Sequence, residues 1–411
     1  MIMKNKKVFI LGDIGLDKKG GFHFGDEAMF YANLKWYTDH HFEVYASSRS
    51  ISHGNGLFIE NRDIYIQGFI HYYLLLFSAY LYTIFNANIF PKYFKQTLKN
   101  LIACDRLHIS GGGNINEVWH GHVLYRALLI NIANMYDIPI FVSGQTIGIF
   151  KNIFLKKIIA SALRSVIIIG IRDKDISFRN LLHLNINKFS IHFCPDDTLL
   201  LETVLTNKTK EAQIKIGLSL HEFENENLYK DILVNLVKEL TKSIGNISFV
   251  LIPHYYSEEE EDGDDLRYMR SMMDEAKIND YISSSYSELT ENKDFKTQIE
   301  TTYNKYSGLD IVISSRYHGI VLAFAHSVPV IGINLNAYCA QKNSTLYQEI
   351  GLDQNMFLHD ISSLDVRNIV KNFAHIVSHR EMYVNKIQIQ FNRLKETTKK
   401  FYNQMNHYDI K

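Results

Sequence analysis

Residues Asp310–Lys342 read DIVISSRYHGIVLAFAHSVPVIGINLNAYCAQK, and this stretch decides the fold class. Ile311-Val312-Ile313 is a short β-branched run of the kind buried on both faces of a parallel sheet. A polar break, Ser314-Ser315-Arg316-Tyr317-His318, follows. From Gly319 the residues Ile320, Val321, Ala323, Phe324 and Ala325 predict a helix, and Pro329 opens a second buried strand, Val330-Ile331-Gly332-Ile333. In open α/β sheets ligands bind outside the carboxyl ends of the strands, which is where Arg316 and His318 would sit. With the backbone still extended there, residues two apart would point the same way, guanidinium beside imidazole. A lone Arg or His at a strand end is more often structural. Arg-x-His ahead of a small-residue helix is different, because the helix N-terminus adds free N–H groups and partial positive charge, a setting that attracts an anion.

Outward from this stretch, a chain of 411 residues exceeds one ordinary core and predicts two α/β domains of roughly 200 residues each. Hydrophobic residues at 46% and charged residues at 21% let both bury a core. Lys plus Arg balance Asp plus Glu at 44 each, so no net field recruits nucleic acid, and any anion site must be local. Three widely spaced cysteines, Cys104, Cys194 and Cys339, argue against a disulfide framework and for a reducing compartment. The N-terminal apolar run turns at once into Gly12 and Asp13 and reads as a strand, not a signal peptide, so a cytoplasmic enzyme is expected.

The first strand, Val8–Leu11, leads into a loop with Gly20, Gly21 and Gly25, then a helix whose apolar face carries Ala28, Met29, Phe30 and Leu34. A glycine-rich strand-to-helix turn can bring backbone N–H groups to phosphate, although neither GxGxxG nor GxxxxGK[ST] is present. A second glycine cluster, Gly111-Gly112-Gly113, ends a strand at Ser110 and is followed by Asn114, Asn116 and Glu117. Strands at Ile138–Val142, Ser165–Ile171 and Ile191–Cys194 then exit into Ser143–Gly148, into Arg172-Asp173 and into Pro195-Asp196-Asp197. Residues 1–202 thus form an N-terminal Rossmann-like domain and 203–213 a linker. Residues 214–385 alternate again as a second such domain, with strands at Ile214–Ser219 and Ile247–Ile252, and 386–411 form a helix that docks back on the body. The acidic run Glu258–Asp262 reads as a solvated loop rather than a cation site. Gln67–Phe90 carries no Asp, Glu, Lys or Arg over 24 residues, yet His71, four tyrosines and two asparagines interrupt it. It predicts a helix that is buried, docked on a surface or set at a lipid–water boundary, with a true membrane span as the least favoured reading.

These segments together resemble the polysaccharide pyruvyl transferase family. Gly25-Asp26-Glu27-Ala28 is similar to its N-terminal motif, and the triple glycine with Gln145-Thr146-Ile147-Gly148 to its glycine run and next strand end. Arg172-Asp173 and Ser315-Arg316-Tyr317-His318 with Val328-Pro329-Val330 resemble its later motifs, in the same order. Glu117 stands where many members have Asp, and Ser177 falls one place late after Arg172-Asp173. Where the family has a lysine at fixed distance after the His, this chain has Tyr338. Lys342, ahead of Ile350-Gly351, takes the lysine's place if four residues are inserted.

The resemblance implies two Rossmann-like domains facing a cleft, as in GT-B glycosyltransferases, with the ligand between them. It implies transfer of the enolpyruvyl group of phosphoenolpyruvate onto a sugar of a surface polysaccharide, or its lipid-linked precursor, at the inner face of a membrane. Phosphate leaves and a pyruvate ketal forms. His318 would be the general acid, Arg172 and Arg316 bidentate anion holders, and Lys342 the charge beside the leaving phosphate. Gly25, Asp26, Glu27, Gly111, Gly112, Gly113, Asn114, Glu117, Gln145, Ser315, Tyr317 and Tyr338 would line the substrates. This chemistry demands neither metal nor cofactor beyond the donor. Two alternatives stay open, a sugar-nucleotide glycosyltransferase on the same fold and a non-catalytic sugar-binding relative.

Overall fold

The computed structural model describes residues 6–15, 21–48, 58–61, 66, 68–85, 92–203, 213–222, 226–257, 264–283 and 295–408. The chain is α/β and divides into two units. One comprises Met1–Gly15, Asp26–Leu200 and Glu396–Lys411, the other Leu16–Gly25 and Leu201–Lys395.

The first unit holds a parallel sheet of β1 (Lys7–Leu11), β3 (Glu43–Ser48), β4 (Phe58–Asn61), β5 (Arg106–Ile109), β7 (Ile140–Ile147), β8 (Ile168–Ile171) and β9 (Ile191–Phe193). Their order is β4-β3-β1-β5-β7-β8-β9, and β6 (Gly112–Ile115) pairs with the far part of β7. Progression from β1 goes outward one way through β3 and β4, then restarts on the other side at β5, so the strand order reverses between β1 and β5. That gap is the topological switch point, where the loops of adjacent strands diverge and leave room for a ligand. Every residue of β5 and β7 is buried, as the continuous apolar runs require of a sheet covered on both faces.

The second unit repeats the plan with β10 (Ile214–Ser219), β11 (Ile247–Leu251), β13 (Tyr281–Ile282), β14 (Ile311–Ser314), β15 (Val330–Asn334) and β16 (Leu358–Asp360). The order β13-β11-β10-β14-β15-β16 puts its switch point between β10 and β14. A two-stranded antiparallel ribbon of β2 (Phe22–His23) and β12 (Tyr255–Tyr256) belongs to this unit as well.

Several boundaries differ from expectation. The glycine loop expected in the N-terminal domain contributes its residues up to Gly25 to the second unit, because β2 pairs with β12 rather than with its sequence neighbours. β7 does not stop at Val142 but runs through Gly144 to Ile147, since β6 supplies a further pairing partner. The last helix is one element, Arg380–His407, not a segment starting at 386. Its final part belongs to the first unit, where Phe401, Tyr402 and Met405 pack on Phe141, Ile168 and Cys194. Most of the expected linker and the acidic run 258–262 lie outside the described residues.

Within 67–90 the described helix is Phe69–Phe85, with Tyr72, Leu75 and Ala79 buried along one stripe. Ile70, Tyr73, Leu74, Phe77, Tyr80, Ile84 and Phe85 remain exposed. Among the described residues no helix is long and apolar enough to cross a membrane, and residues 67 and 86–90 of this segment lie outside the described residues.

Candidate active site

At the switch point of the second unit, β10 and β14 end side by side in Ser219 and Ser314. The helix that follows β14 is Tyr317–Ala325, beginning two residues earlier than its apolar pattern suggested. Arg316, at φ −90° and ψ 128°, is the last extended residue and N-caps the helix by position. Tyr317 and His318 are therefore already helical, and the extended-chain alignment expected for Arg316 and His318 does not hold. The turn is tight: a side chain on Gly319 would put its Cβ 2.3 Å from the Ser314 hydroxyl, so only glycine lets the helix start this close to the strand. Ser314 Oγ accepts from the Arg316 amide at 3.1 Å, and Ser315 Oγ accepts from the His221 amide at 3.0 Å, tying the two strand ends together.

Arg316 is oriented by Asp265, a fully buried carboxylate. Its Nε donates to Asp265 Oδ2 at 2.9 Å, and its Nη2 donates to Oδ1. The same carboxylate accepts the His254 and Tyr255 amides at 3.0 and 2.9 Å. Burial pushes the Asp265 carboxyl up, against the opposing pull of the Arg316 guanidinium. With its Nε–Nη2 edge held by Asp265, Arg316 keeps the Nη1–Nη2 end for a ligand anion. Its side chain is one-quarter exposed, enough to be reached.

His318 is set by Gly25. A Cβ at Gly25 would lie 2.0 Å from His318 Nδ1, so the imidazole occupies the space that a side chain there would fill. His254 is a neighbour: burial first, then the nearby His318 and Arg316 charges, hold its imidazole well below the ordinary range, and its Nε2 lies 2.7 Å from the Tyr306 hydroxyl. His221 is likewise held down by burial, then by Arg316 and Lys342. Tyr338 and Lys342 stand one turn apart on the helix Ala337–Ile350, hence on one face. The Lys342 ammonium lies 4.2 Å from the Tyr338 ring centroid and 5.8 Å from that of Tyr317. Gly25, Ser315, Arg316, Tyr317, His318, Tyr338 and Lys342 thus gather in the second unit, joined by His221, His254 and Asp265. Sequence reasoning missed these last three. His221 and His254 were legible in principle, since each follows a buried strand, β10 and β11, at its carboxyl end.

The remaining expected residues belong to the first unit. Arg172 is buried there. Its Nε donates to the Gly144 carbonyl, its Nη2 lies 2.9 Å from Met29 Sδ, and Asp196 pairs with it at 3.5 Å. These contacts brace the ends of β7 and β9, a role not anticipated. Glu27 is fully buried and accepts the Gly15 amide at 2.6 Å. Glu117 accepts the amides of Lys151 and Asn152, closing the turn ahead of the helix Ile153–Leu163. Gln145 donates to the Ser110 carbonyl at 2.6 Å. The triple glycine lies over Asp197, whose Oδ2 accepts the Gly111 amide and the Ser143 hydroxyl, both at 2.7 Å, and Asn33 at 3.0 Å. A Cβ at Gly111 would come within 2.9 Å of that oxygen. Gly112, at φ +150°, has Asp26 and Asn114 as neighbours, and Gly113 follows in β6.

The chain shares its fold with several proteins of known structure. A glycosyltransferase from Rickettsia africae superposes with a TM-score of 0.56 at 11% identity, covering 98% of this chain and 100% of that one. The Anabaena protein HepE, solved in complex with UDP, gives 0.55 at 8% identity over 98% and 99%. UDP-GlcNAc 2-epimerase from Neisseria meningitidis, bound to UDP-GlcNAc, gives 0.52 at 11% identity over 97% and 99%. At such identities the likeness establishes a GT-B-like α/β fold and nothing finer. No curated protein matches the sequence significantly. Residues 23–336, which contain Gly25, the triple glycine, Arg172, Arg316 and His318, match the family described as polysaccharide pyruvyl transferase. With three-quarters of its length matched, the chain belongs to the polysaccharide pyruvyl transferase family.

Proposed function

We propose that the protein transfers the enolpyruvyl group of phosphoenolpyruvate to a sugar diol of a surface polysaccharide or its lipid-linked precursor, forming a pyruvate ketal and releasing phosphate. The observation that carries the reading is the pairing of a positioned guanidinium with a positioned imidazole at one switch point: Arg316 locked by Asp265, His318 seated on Gly25. His318 protonates the methylene carbon of the donor. The first sugar hydroxyl then adds to the adjacent carbon, the bond from that carbon to the phosphate oxygen breaks, and the second hydroxyl closes the ketal. Each hydroxyl gives up a proton; in balance one replaces the proton placed on the methyl carbon and the other leaves with phosphate. The free end of Arg316 holds the donor's carboxylate or phosphate, and Lys342 adds a point charge for the departing phosphate. His221 and His254, held neutral by burial, donate or accept without adding charge beside the two cations.

The test is thermal stabilisation by phosphoenolpyruvate against a panel of nucleotide sugars, since only a ligand of the folded state raises Tm. Stabilisation by the former and phosphate release with an acceptor glycan are expected. His318→Ala should keep binding while turnover falls by about 10²- to 10⁴-fold. Stabilisation only by a nucleotide sugar would replace this reading with a glycosyltransferase.

We also propose that a lipid bilayer surface covers the exposed side of Phe69–Phe85. That face is continuous with Ile153 and Phe154, since the Phe69 and Phe154 rings lie 6.1 Å apart, and the exposed Lys151 and Lys157 flank it, as anionic headgroups would favour. Flotation with phosphatidylglycerol vesicles, lost in Phe77→Ser/Phe154→Ser, is the expected result. No flotation at low salt, or a dimer broken by the same pair, would overturn it.

A further inference from the structure

The first unit carries a polar cluster at its own switch point, between β1 and β5. Asp13 lies two residues beyond β1 and accepts three side-chain donors. Arg126 Nη2 reaches its Oδ2 at 2.5 Å, Asn114 Nδ2 bonds the same oxygen, and His122 Nδ1 lies 2.9 Å from Oδ1. Arg126 stands one turn after His122 on the helix His120–Met135, so helix geometry brings both to one carboxylate. Burial pushes the Asp13 carboxyl up, but Arg126 and His122 more than reverse this and leave it well below the usual carboxylate range. With Nδ1 turned to an ionised carboxylate, neutral His122 carries its proton there and presents a lone pair at Nε2, and its side chain is 31% exposed. Such a set suits a neutral ligand rich in hydroxyls. The ionised carboxylate repels an anion, its guanidinium partner repels a cation, and a hydroxyl, which both donates and accepts, can meet an amide and an imidazole lone pair.

Beside the cluster stands Trp119, whose ring meets His122 edge to face at 5.9 Å and is 48% exposed, unusual for tryptophan. A pyranose turns C–H groups to one face and hydroxyls to its rim, so it can stack on Trp119 with its rim toward His122. Trp119 also ends an apolar edge. The turn at 116–119 packs on the turn at 148–152: Glu117 accepts the Lys151 and Asn152 amides, and a Cβ on Gly148 would lie 2.5 Å from Asn116 Cγ. Exposed Val118 on the first turn and exposed Ile149 on the second lead to Ile153 and Phe154, and Phe154 leads to Phe69 and the open face of Phe69–Phe85. Tryptophan favours the lipid–water boundary, where part of its ring is apolar and its N–H end is wet. The polar cluster therefore borders the face assigned to the bilayer.

Resting on that bilayer reading, we propose that the first unit binds the sugar headgroup of a membrane glycolipid. Trp119 stacks on the sugar ring, His122 and Asn114, oriented by Asp13, hold its hydroxyls, and the lipid chain stays in the bilayer beside Val118, Ile149 and Phe154. All of these residues belong to the one unit.

The full chain is floated with phosphatidylglycerol vesicles, either plain or carrying a galactosyl, glucosyl, mannosyl or N-acetylglucosaminyl diacylglycerol. The readout is the ratio of the two partition coefficients, in which any loss of folded protein in a variant cancels. At least one glycolipid should raise partitioning about tenfold, and the matching methyl glycoside, titrated in solution against tryptophan emission, should bind about 10²-fold or more weakly, because bilayer contact makes capture of the sugar intramolecular. The gain should vanish in His122→Ala and in Trp119→Ala, whose side chains are both partly exposed. Vesicles of brominated lipid should quench wild type more than Trp119→Ala, the other tryptophan being Trp36. No gain from any of the four headgroups, a gain that survives both variants, equal quenching of wild type and Trp119→Ala, or a free glycoside that binds as well as its lipid-borne form overturns the proposal and leaves the bilayer reading standing. No flotation with plain vesicles at low salt overturns the bilayer reading and this proposal with it.

Discussion

Gly25→Ala isolates the placement of His318 from its chemistry. The new methyl would start 2.0 Å from His318 Nδ1, whereas ordinary contact begins at 3.4 Å, so the ring must retreat by about 1.4 Å. Misplacing a reacting group by about 1 Å costs on the order of 10²-fold in rate, and that is the expected loss of kcat. Stability should hardly move. Turning a half-buried ring off its rotamer costs about 0.5–1.5 kcal/mol, while alanine in a helix gains roughly 0.5–1 kcal/mol over glycine, and Gly25 is the second residue of the helix Phe24–Asp39. The measurements are phosphate release with an acceptor glycan, the Tm, and its rise with phosphoenolpyruvate. Tm and donor binding should stay near wild type. Combining Gly25→Ala with His318→Ala should be no worse than His318→Ala alone, because both changes remove one contact. Full activity in Gly25→Ala, or losses that multiply in the double variant, would refute the seat of the imidazole.

Asp265→Asn should lower the Tm and weaken donor binding about tenfold or more, since an amide cannot accept from both Nε and Nη2 of Arg316 while also serving two backbone amides; Arg316→Lys should fail equally in a donor titration. Lys342→Ala should cripple phosphate release whereas Tyr338→Phe, which keeps the ring under the ammonium, should be mild; the reverse pattern would remove Lys342 from the site. Burial, then Arg106, holds His108 down to about 3 from 6.5. Below pH 6.5 the unfolded chain therefore binds a proton that the folded chain refuses, and stability falls with pH until about 3, by about 2 kcal/mol at pH 5. The drop in Tm from pH 7 to 5 should shrink in His108→Gln.

The strand–loop–helix repeat was legible because buried parallel strands are apolar throughout and end abruptly in polar or glycine residues. Ile311–Ile313, Val330–Ile333 and the run before Arg172 all declared themselves this way. What escaped was pairing at a distance. Nothing local marks Phe22–His23 as a partner of Tyr255–Tyr256, so the glycine loop went to the wrong unit. The helix start at Tyr317 was missed for the opposite reason: Tyr317 and His318 are polar, and an apolar period cannot see a first turn that faces a ligand. Residue types also hid roles. Arg172 and Glu117 carry charge at strand ends, the same signal as Arg316, yet one braces a carbonyl and the other closes a turn.

The difference among those charged residues lies in what remains after their partners are counted. Arg172 sits inside the sheet end, 5% exposed. Arg316 is also paired, but on one edge and from one side, and the pair fixes its direction while its outer end stays accessible. His122 repeats the pattern in the first unit, with Nδ1 committed to a carboxylate and Nε2 open. In both units the anchoring carboxylate, fully buried at Asp265 and largely so at Asp13, is bonded by further donors, so the cost of burying it is met by contacts that do not involve the working edge. A strand-end charge at a switch point is thus a candidate for chemistry when one of its edges is fixed by a buried partner and the other is not. His318 is placed by a different device, a glycine whose missing Cβ leaves room for the ring. Because any side chain at Gly25 would fill the volume that the imidazole occupies, the place of the proposed acid is set by a steric vacancy in the helix Phe24–Asp39.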